Sequence, residues 1–267
     1  MAVSSIRCFL RRSGSMAPPE AVEQTCSVGA ALNSHEGKMR MNMRALLEDA
    51  CDVIQSALPA IFERRYSIRY KEDGSPVTEA DIFIERLIGD WLRQRLDGVV
   101  FVGEESHDHR AVDMGGYVVL MDPIDGTENF CSGLKEWGSC LSVWAGGQHL
   151  GSALMLPELG ERLITGDKVI ARQSRITGFS SSFDESILQG IREAGEYRVT
   201  GCAVYNLHSV ITGSFKRFIN PKGACAWDLM PGLMLALENG CTVFVDDEVF
   251  DGKFLQPDRK YRIDIQR

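Results

Sequence analysis

Three acidic clusters contain the residues whose types and spacing could do chemistry. Glu104 and Glu105 follow one valine-rich apolar run, Asp122 and Asp125 follow the next, and Asp228 lies at the start of a later helical segment. Functional sites of α/β sheets form at the carboxyl ends of strands, so the carboxylates that follow the two apolar runs would lie within a few ångströms of one another. Such crowding is unfavourable unless cations neutralise it. Oxygen ligands of this kind suit Mg²⁺, and sites with two or three such ions hydrolyse phosphate esters.

The Asp-Pro-Ile-Asp-Gly-Thr segment has a local reason for its composition. Pro123 fixes φ and Gly126 permits a tight turn, which would bring Asp122 and Asp125 to one side of the chain. The carbonyl oxygen of Ile124 could then act as a ligand between them. An isolated pair of acidic residues usually lies in a solvated loop, but the three clusters together favour a metal site.

The surrounding elements must place these residues. Apolar residues at three- and four-residue spacing predict a helix from about Met43, and Thr78 is the predicted N-cap of a helix that carries Asp81 in its first turn. The predicted strands cover 68–70, 99–102, 117–121, 139–145, 149–156, 175–179 and 242–245, and further helices cover 184–194, 203–213 and 227–238. This alternation predicts an α/β fold. Residues 1–40 lack apolar periodicity and are predicted to be a disordered extension.

Composition excludes several classes of protein. Among the 267 residues, 29 are basic and 37 acidic, a net charge of −8 that argues against direct binding of nucleic acid. The sequence has no apolar run long enough to span a membrane. The eight cysteines show no C-x-x-C pair, so we expect reduced thiols and a cytoplasmic location.

The motifs resemble those of the inositol monophosphatase-like family of Mg²⁺-dependent, lithium-sensitive phosphatases, over roughly residues 45–250. The stretches that carry the resemblance are Lys71-Glu-Asp-Gly-Ser-Pro-Val-Thr-Glu-Ala-Asp81, Val102-Gly-Glu-Glu-Ser106, Asp122-Pro-Ile-Asp-Gly-Thr-Glu-Asn-Phe130 and Ala226-Trp-Asp228. The resemblance implies a layered αβαβα fold, with residues 41–267 as a single phosphatase domain of two packed halves. It also implies homodimerisation.

The resemblance further implies a site of two or three Mg²⁺ ions. The first ion is expected at Glu104, Asp122 and the Ile124 carbonyl, and the second at Asp122, Asp125 and Asp228. Glu104 therefore counts among the catalytic residues. Thr127, paired with Asp81, is expected to orient a metal-activated water that attacks phosphorus in line.

The residues expected to bind the substrate come from the same motifs. The backbone N–H groups of Gly126 and Thr127 are expected to hold phosphate oxygens. Asp125 and Ala203 are expected to lie beside the rest of a small phosphorylated substrate. Lys71 is expected either to contact the phosphate or to shape its loop, and a solvated lysine is nearly as good an interpretation.

The sequence departs from the family where the substrate is selected. Pro221 stands where many inositol phosphatases have a glutamate that binds sugar hydroxyls, and Lys222 adds a positive charge beside it. The main prediction is hydrolysis of a small polyol, sugar or amino-alcohol phosphate. A 3'(2'),5'-bisphosphate nucleotide, histidinol phosphate and fructose 1,6-bisphosphate remain alternative substrates. A weakly catalytic regulatory binding protein is the alternative from another class, although the intact acidic set argues against it.

Overall fold

Two large β-sheets, a short two-stranded hairpin and the packed helices make up the part of the chain that the computed structural model describes, residues 43–107, 111–182 and 184–267. The helices are α1 (43–56), α2 (Leu58–Glu63), α3 (Glu79–Arg93), α4 (Thr127–Cys131), α5 (Glu185–Glu193), α6 (Ala203–Ile211) and α7 (Ala226–Glu238). The strands are β1 (Ile68–Tyr70), β2 (Pro76–Thr78), β3 (Val100–Gly103), β4 (Tyr117–Asp125), β5 (Gly138–Ala145), β6 (Gln148–Leu156), β7 (Glu161–Ile164), β8 (Ile176–Phe179), β9 (Glu196–Val199), β10 (Arg217–Ala224), β11 (Thr242–Val245), β12 (Glu248–Val249) and β13 (Tyr261–Gln266).

The first sheet has five strands in the order β3-β4-β5-β6-β7, and only its β3–β4 pair is parallel. The second has six strands in the order β12-β11-β13-β10-β8-β9, where β10 runs parallel to β8 and β8 parallel to β9. A short antiparallel hairpin, β1–β2, precedes α3. The parallel β3–β4 pair matters most for function because both of its strands end at the same edge of the sheet.

Side-chain alternation along β4 shows how the layers form. Val118 and Leu120 belong to a core that also contains residues of α6, α7 and the second sheet. Val119 and Met121 point to the opposite face and pack with α1 and α3. On the second sheet, Phe179 lies against Gly190 of α5. The layer order is therefore helix, sheet, helix, sheet, helix, and the predicted αβαβα fold is confirmed.

Several predicted elements agree with the structure to within a few residues. Thr78 caps α3 as predicted, and β11 has the predicted bounds. β4 is longer than predicted, because pairing with β5 continues through Pro123 to Asp125. Sequence analysis did not predict β2, α4, β9, β10, β12 or β13, and it gave no bounds for β7.

Residues 1–42 lie outside the described part, so the predicted disordered extension and the boundary at residue 40 stay predictions. Among the described residues, no helix is both long enough and apolar enough to cross a membrane.

Candidate active site

The three acidic clusters meet at one edge of the first sheet. Gly103 pairs with Met121 in the parallel β3–β4 ladder, so Glu104 and Asp122 leave the two strands side by side. Asp228, in the first turn of α7, completes the group. One carboxylate oxygen from each of Glu104, Asp122 and Asp228 lies within 4.8 Å of the others. The group combines residues from both of the predicted ligand sets.

Local hydrogen bonds orient the two aspartates. Asp228 Oδ2 accepts the backbone N–H of Cys225, the N-cap of α7, at 2.9 Å. The partial positive charge of the helix N-terminus also favours a carboxylate at this position. Asp122 is 1% exposed, and its Oδ1 accepts the N–H of Ile124 at 2.9 Å.

A bulge in β4 separates Asp122 from Asp125. Asp122 pairs with Cys140 and Asp125 with Gly138, so β4 has one residue more than β5 over this interval. Gly126 follows with φ of +81° as the N-cap of α4. The predicted turn chemistry is therefore present, but as a bulged strand that leads into a left-handed glycine.

Asp125 faces the start of α6. Its Oδ2 accepts the Cys202 thiol at 2.9 Å and also the N–H of Val204. The N–H of Ala203 interacts with the same carboxylate. Among the described residues, Asp125 is not a member of the three-carboxylate group, although it is close enough to raise the pKa values of Asp122 and Asp228.

Asp81 and Thr127 lie together as predicted. Asp81 is fully buried, and its Oδ2 accepts both the N–H and the hydroxyl of Thr78, at 2.8 and 2.6 Å. Thr127 Oγ1 lies 3.4 Å from Asp81 Oδ1 and donates to the carbonyl of Ile124 at 2.9 Å. The capping box of α3 therefore holds one oxygen of Asp81 and leaves the other facing the Thr127 hydroxyl.

Lys71 lies at the acidic edge of the site. Its Nζ is 2.8 Å from Glu104 Oε1 and 2.7 Å from Glu105 Oε1. Burial disfavours the ammonium charge, but the two carboxylates outweigh burial and raise the pKa of Lys71. Lys71 is therefore a cation tethered to a predicted metal ligand, a contact that sequence analysis did not anticipate.

The N–H groups of Gly126 and Thr127, at the first turn of α4, have no acceptor within that helix. Ala203, the first residue of α6, is half-buried and lies beside Asp125. Pro221 and Lys222 lie in β10 near its irregular pairing with β13, and Lys222 is exposed.

Mutual repulsion and burial dominate the electrostatics. Burial, followed by the charge of Glu104, raises the pKa of Asp122 well above its ordinary value, and the same two causes raise that of Asp228. Burial raises the pKa of Asp81 to about 7 and that of Asp125 to about 6. Protein groups alone therefore leave the negative charge of this cluster poorly compensated.

The donor set fits Mg²⁺. The available ligands are carboxylate oxygens together with the Ile124 carbonyl, and hard oxygen donors of this kind are the ones that Mg²⁺ prefers. The predicted structural role of a cation, to relieve repulsion among buried carboxylates, is also consistent with the raised pKa values.

Comparison with known proteins finds similarity to one family of phosphatases. The model of the inositol monophosphatase family matches residues 39–169, a range that contains β3, β4 and their carboxylates. The chain is similar to this family over that range, and inositol monophosphatase structures share its fold. The names of the family and of its relatives indicate a phosphatase, a hydrolase of phosphate monoesters, and the family depends on Mg²⁺.

Individual relatives of this family differ in their named substrates. The chain is 27% identical to a 3'-phosphoadenosine 5'-phosphate phosphatase of Mycobacterium leprae, over 67% of this chain and 73% of the relative. It is 25% identical to an inositol-1-monophosphatase of Rhizobium meliloti, over 61% and 70%. A solved structure of an IMPase/NADP phosphatase complexed with Mg²⁺ and phosphate shares the fold, with a TM-score of 0.71 and 18% identity over 85% of this chain and 91% of the other.

Two residues that contact the site were absent from the predicted set. Glu85, buried in α3, accepts the N–H of Glu105, and the Cys202 thiol binds Asp125. Glu85 lies one helical turn after Asp81, and that spacing was the available signal for a second carboxylate on the same helix face.

Proposed function

We propose that this chain is a Mg²⁺-dependent phosphomonoesterase that acts on a small polyol, sugar or amino-alcohol phosphate. The observation that carries the proposal is the convergence of Glu104, Asp122 and Asp228 to within 4.8 Å at the end of a parallel strand pair. Buried like charges at this spacing are costly unless a cation binds them. Similarity to the inositol monophosphatase family supports a phosphate ester as the reacting group.

Specific residues are proposed to hold the ions. Glu104, Asp122 and the Ile124 carbonyl would bind one Mg²⁺, and Asp122, Asp125 and Asp228 a second. A third ion is part of the proposal but has no ligands assigned to it. Bound Mg²⁺ would supply positive charge that activates water and stabilises the oxygens of phosphate and leaving group. Asp122, the most buried of the four proposed ligand carboxylates, would be shared between the two sites.

Thr127 and Asp81 would orient the attacking water and take its proton. Thr127 Oγ1 would accept a hydrogen from the water while its own hydrogen passes to Asp81 Oδ1, 3.4 Å away. A carboxyl group whose pKa burial raises to about 7 is well matched to proton transfer at neutral pH. The water oxygen would attack phosphorus in line with the departing alkoxide.

The remaining site residues would bind the substrate. The N–H groups of Gly126 and Thr127, which have no acceptor inside α4, are aimed out of a helix start and suit phosphate oxygens. Asp125 and Ala203 would contact the organic part of the substrate, and Lys71 would exchange its carboxylate partners for phosphate. Thr127 would thus serve both the water and the phosphate.

A bisphosphate nucleotide is the second candidate substrate. Pro221 stands where many inositol phosphatases have a glutamate, so this chain lacks that acceptor for sugar hydroxyls. The exposed Lys222 beside it adds a positive charge suited to a second phosphate. The 3'-phosphoadenosine 5'-phosphate phosphatase among the relatives supports this candidate.

The deciding experiment measures phosphate release from a panel of monoesters and bisphosphates, with Mg²⁺ or with EDTA. The panel would contain inositol 1-phosphate, histidinol phosphate, fructose 1,6-bisphosphate and 3'-phosphoadenosine 5'-phosphate. The wild type should turn over one class at least tenfold better than the others in kcat/KM. The Asp122→Asn variant should lose at least about a thousandfold in activity, by analogy with other removals of charge stabilisation.

Asp264→Asn is the matched control. Asp264 lies on β13, outside the acidic cluster, and pairs with Arg217 of β10. It should retain wild-type turnover. Wild-type activity in Asp122→Asn, or Mg²⁺-independent turnover, would contradict the mechanism. Tight partner binding unaffected by Asp122→Asn, with no turnover on the panel, would instead favour the regulatory binding protein.

We also propose that the chain is a cytoplasmic homodimer that contacts no nucleic acid. The six cysteines in the described part of the chain are free thiols, which suits a reducing compartment. Light scattering coupled to size exclusion would give the oligomeric state directly, and a monomer at micromolar concentration would contradict the dimer.

A further inference from the structure

Glu85 is a buried carboxylate that has no place in the mechanism above. It lies on α3, is 5% exposed, and faces the end of β3. Its Oε2 accepts the backbone N–H of Glu105 at 2.9 Å. Glu85 therefore binds the backbone next to the predicted metal ligand Glu104.

The close approach of β3 to Glu85 depends on a glycine. A Cβ atom at position 103 would overlap the carboxylate carbon of Glu85 and come within 2.7 Å of its Oε1. The Gly103 backbone can therefore lie directly against the Glu85 carboxylate only because it has no side chain. Gly103 thus lets α3 come close to the end of β3, and Glu104, the next residue, carries the carboxylate whose position depends on this contact.

The backbone that carries Glu104 is held at three points. The Glu104 N–H donates to Met121 of β4 at 3.3 Å, the Glu105 N–H to Glu85, and the His107 N–H to the Gly103 carbonyl at 3.0 Å. The first bond continues the sheet and the third closes a turn. Glu85 links this turn to α3 by a hydrogen bond, and the link helps to fix where the turn lies relative to Asp81 on the same helix.

We propose that Glu85 is a positioning residue for Mg²⁺ binding: by accepting the Glu105 N–H against Gly103, it directs the Glu104 carboxylate toward Asp122 and Asp228. The inference deepens the proposed function and rests on it. A third carboxylate beside Glu104 and Glu105 adds repulsion, so packing alone gives no reason for an acid at this buried position. The geometry needs the oxygen of Glu85 as an acceptor, and the negative charge is secondary.

The test compares Glu85→Ala with Glu85→Gln in the full chain. Isothermal titration calorimetry with Mg²⁺, in the absence of substrate, measures the dissociation constant directly. Glu85→Ala should weaken Mg²⁺ binding by about tenfold or more, the usual effect of removing a group that orients a ligand. Glu85→Gln keeps an oxygen acceptor of the same length and should stay within about threefold of wild type. At saturating Mg²⁺, kcat of both should approach the wild-type value.

Ile88→Ala is the matched control for loss of stability. Ile88 is buried on the same helix, in the hydrophobic core that α1 and α3 form with the first sheet. Its truncation should lower the melting temperature while leaving the Mg²⁺ dissociation constant unchanged. If Glu85→Ala does not fold, Gly103→Ala carries the test, because its methyl group must displace the Glu85 carboxylate. Gly103→Ala should then weaken Mg²⁺ binding by a similar factor, whereas Glu85→Gln should not.

Two results would overturn the inference: wild-type Mg²⁺ affinity in Glu85→Ala or Gly103→Ala, or an equal loss in Glu85→Gln and Glu85→Ala, which would assign the effect to charge. The proposed function fails separately. A wild-type chain that binds Mg²⁺ and responds to Glu85→Ala as described, but releases phosphate from no ester, would remove the enzymatic proposal and leave the positioning role standing.

Discussion

The hydroxyl oxygen of Thr127 lies 3.4 Å from Oδ1 of Asp81. The same hydroxyl donates to the carbonyl of Ile124 at 2.9 Å, and since a hydroxyl has one hydrogen, the two acceptors compete for it. The Ile124 carbonyl would become a weaker acceptor if it also bound a cation, and the hydroxyl hydrogen would then favour Asp81. Cofactor binding would thus complete the proton path that the proposed reaction needs.

Removal of the Thr127 hydroxyl should therefore affect turnover more than metal binding. Thr127→Ala should lower kcat by about a hundredfold or more, the usual contribution of a positioned proton-transfer group. Thr127→Ser retains the hydroxyl and should keep at least a tenth of the activity. Steady-state kinetics at several Mg²⁺ concentrations would check both. Equal losses in the two variants would point to the methyl group and against the proton path.

Replacement of Lys71 should have opposite effects on the two ligands. Lys71→Met removes the cation that pairs with Glu104 and Glu105, so Mg²⁺ should bind several times more tightly. The same change should raise KM for the phosphate ester several-fold, because a positive charge near the phosphate is lost. Calorimetry and initial rates would measure the two quantities.

Lys253→Met is the control for this prediction, since the Lys253 side chain is 84% exposed and pairs with Asp251. It should change neither quantity. Weaker Mg²⁺ binding in Lys71→Met would contradict the idea that the ammonium group competes with the metal.

The metal-free chain should become less stable as pH rises. Burial raises the pKa of Asp81 from 3.8 to about 7 and that of Asp125 from 3.8 to about 6, so the folded chain binds more protons than the unfolded chain between these values. The resulting stability is lost as pH rises through the folded pKa. In EDTA, the melting temperature should fall by about 2–4 °C between pH 6.5 and pH 8, because the remaining titration of these two groups costs about 1 kcal/mol over this interval.

Saturating Mg²⁺ should reduce this slope, because the ion stabilises the ionised carboxylates of the folded form. Asp122→Asn should also reduce it, since it removes one of the repelling charges. Burial lowers the pKa of His208, which opposes the trend only below about pH 6.5. A melting temperature in EDTA that is independent of pH from 6.5 to 8 would contradict the prediction.

A side chain at Gly126 should harm both folding and activity. Its φ is +81°, and a Cβ there would lie 2.9 Å from Cys202 Cβ and 3.3 Å from the Gly201 carbonyl oxygen. Gly126→Ala should cost about 2 kcal/mol from backbone strain and crowding, and lower kcat at least tenfold by displacing Thr127. Denaturant unfolding and steady-state kinetics would measure the two effects.

Gly147→Ala separates strain from crowding. Gly147 has a similar φ of +77° with nothing within 4 Å of the added methyl group. It should lose about 1 kcal/mol and no activity. Equal kinetic losses in the two glycine variants would show that the effect at Gly126 is not local.

Much of the metal centre could be predicted because its residues follow short, regular patterns. The apolar runs before Glu104 and Asp122 mark strand ends, and Thr78 marks the start of the helix that carries Asp81. Each of these signals lies within a few residues of the side chain it positions. The predicted sets did not place Glu104 against Asp228, because that contact depends on how α7 packs over the first sheet.

The second sheet was harder to predict for a different reason. β9 and β12 are short and exposed, so burial leaves little pattern in their sequences. β13 alternates, with Tyr261, Ile263 and Ile265 buried and polar residues between them. This period of two is a strand signal that sequence analysis did not use. Glu85 and Cys202 act through contacts with distant segments, which local patterns do not encode.

The separation of the metal ligands along the chain has a kinetic consequence. Glu104 and Asp228 are more than a hundred residues apart, and they meet only after α7 has packed on the five-stranded sheet. Closing so long a loop belongs to the late part of folding. Mg²⁺ should therefore slow unfolding while leaving the refolding rate nearly unchanged, and the ion would prolong the lifetime of the native state without guiding the chain toward it.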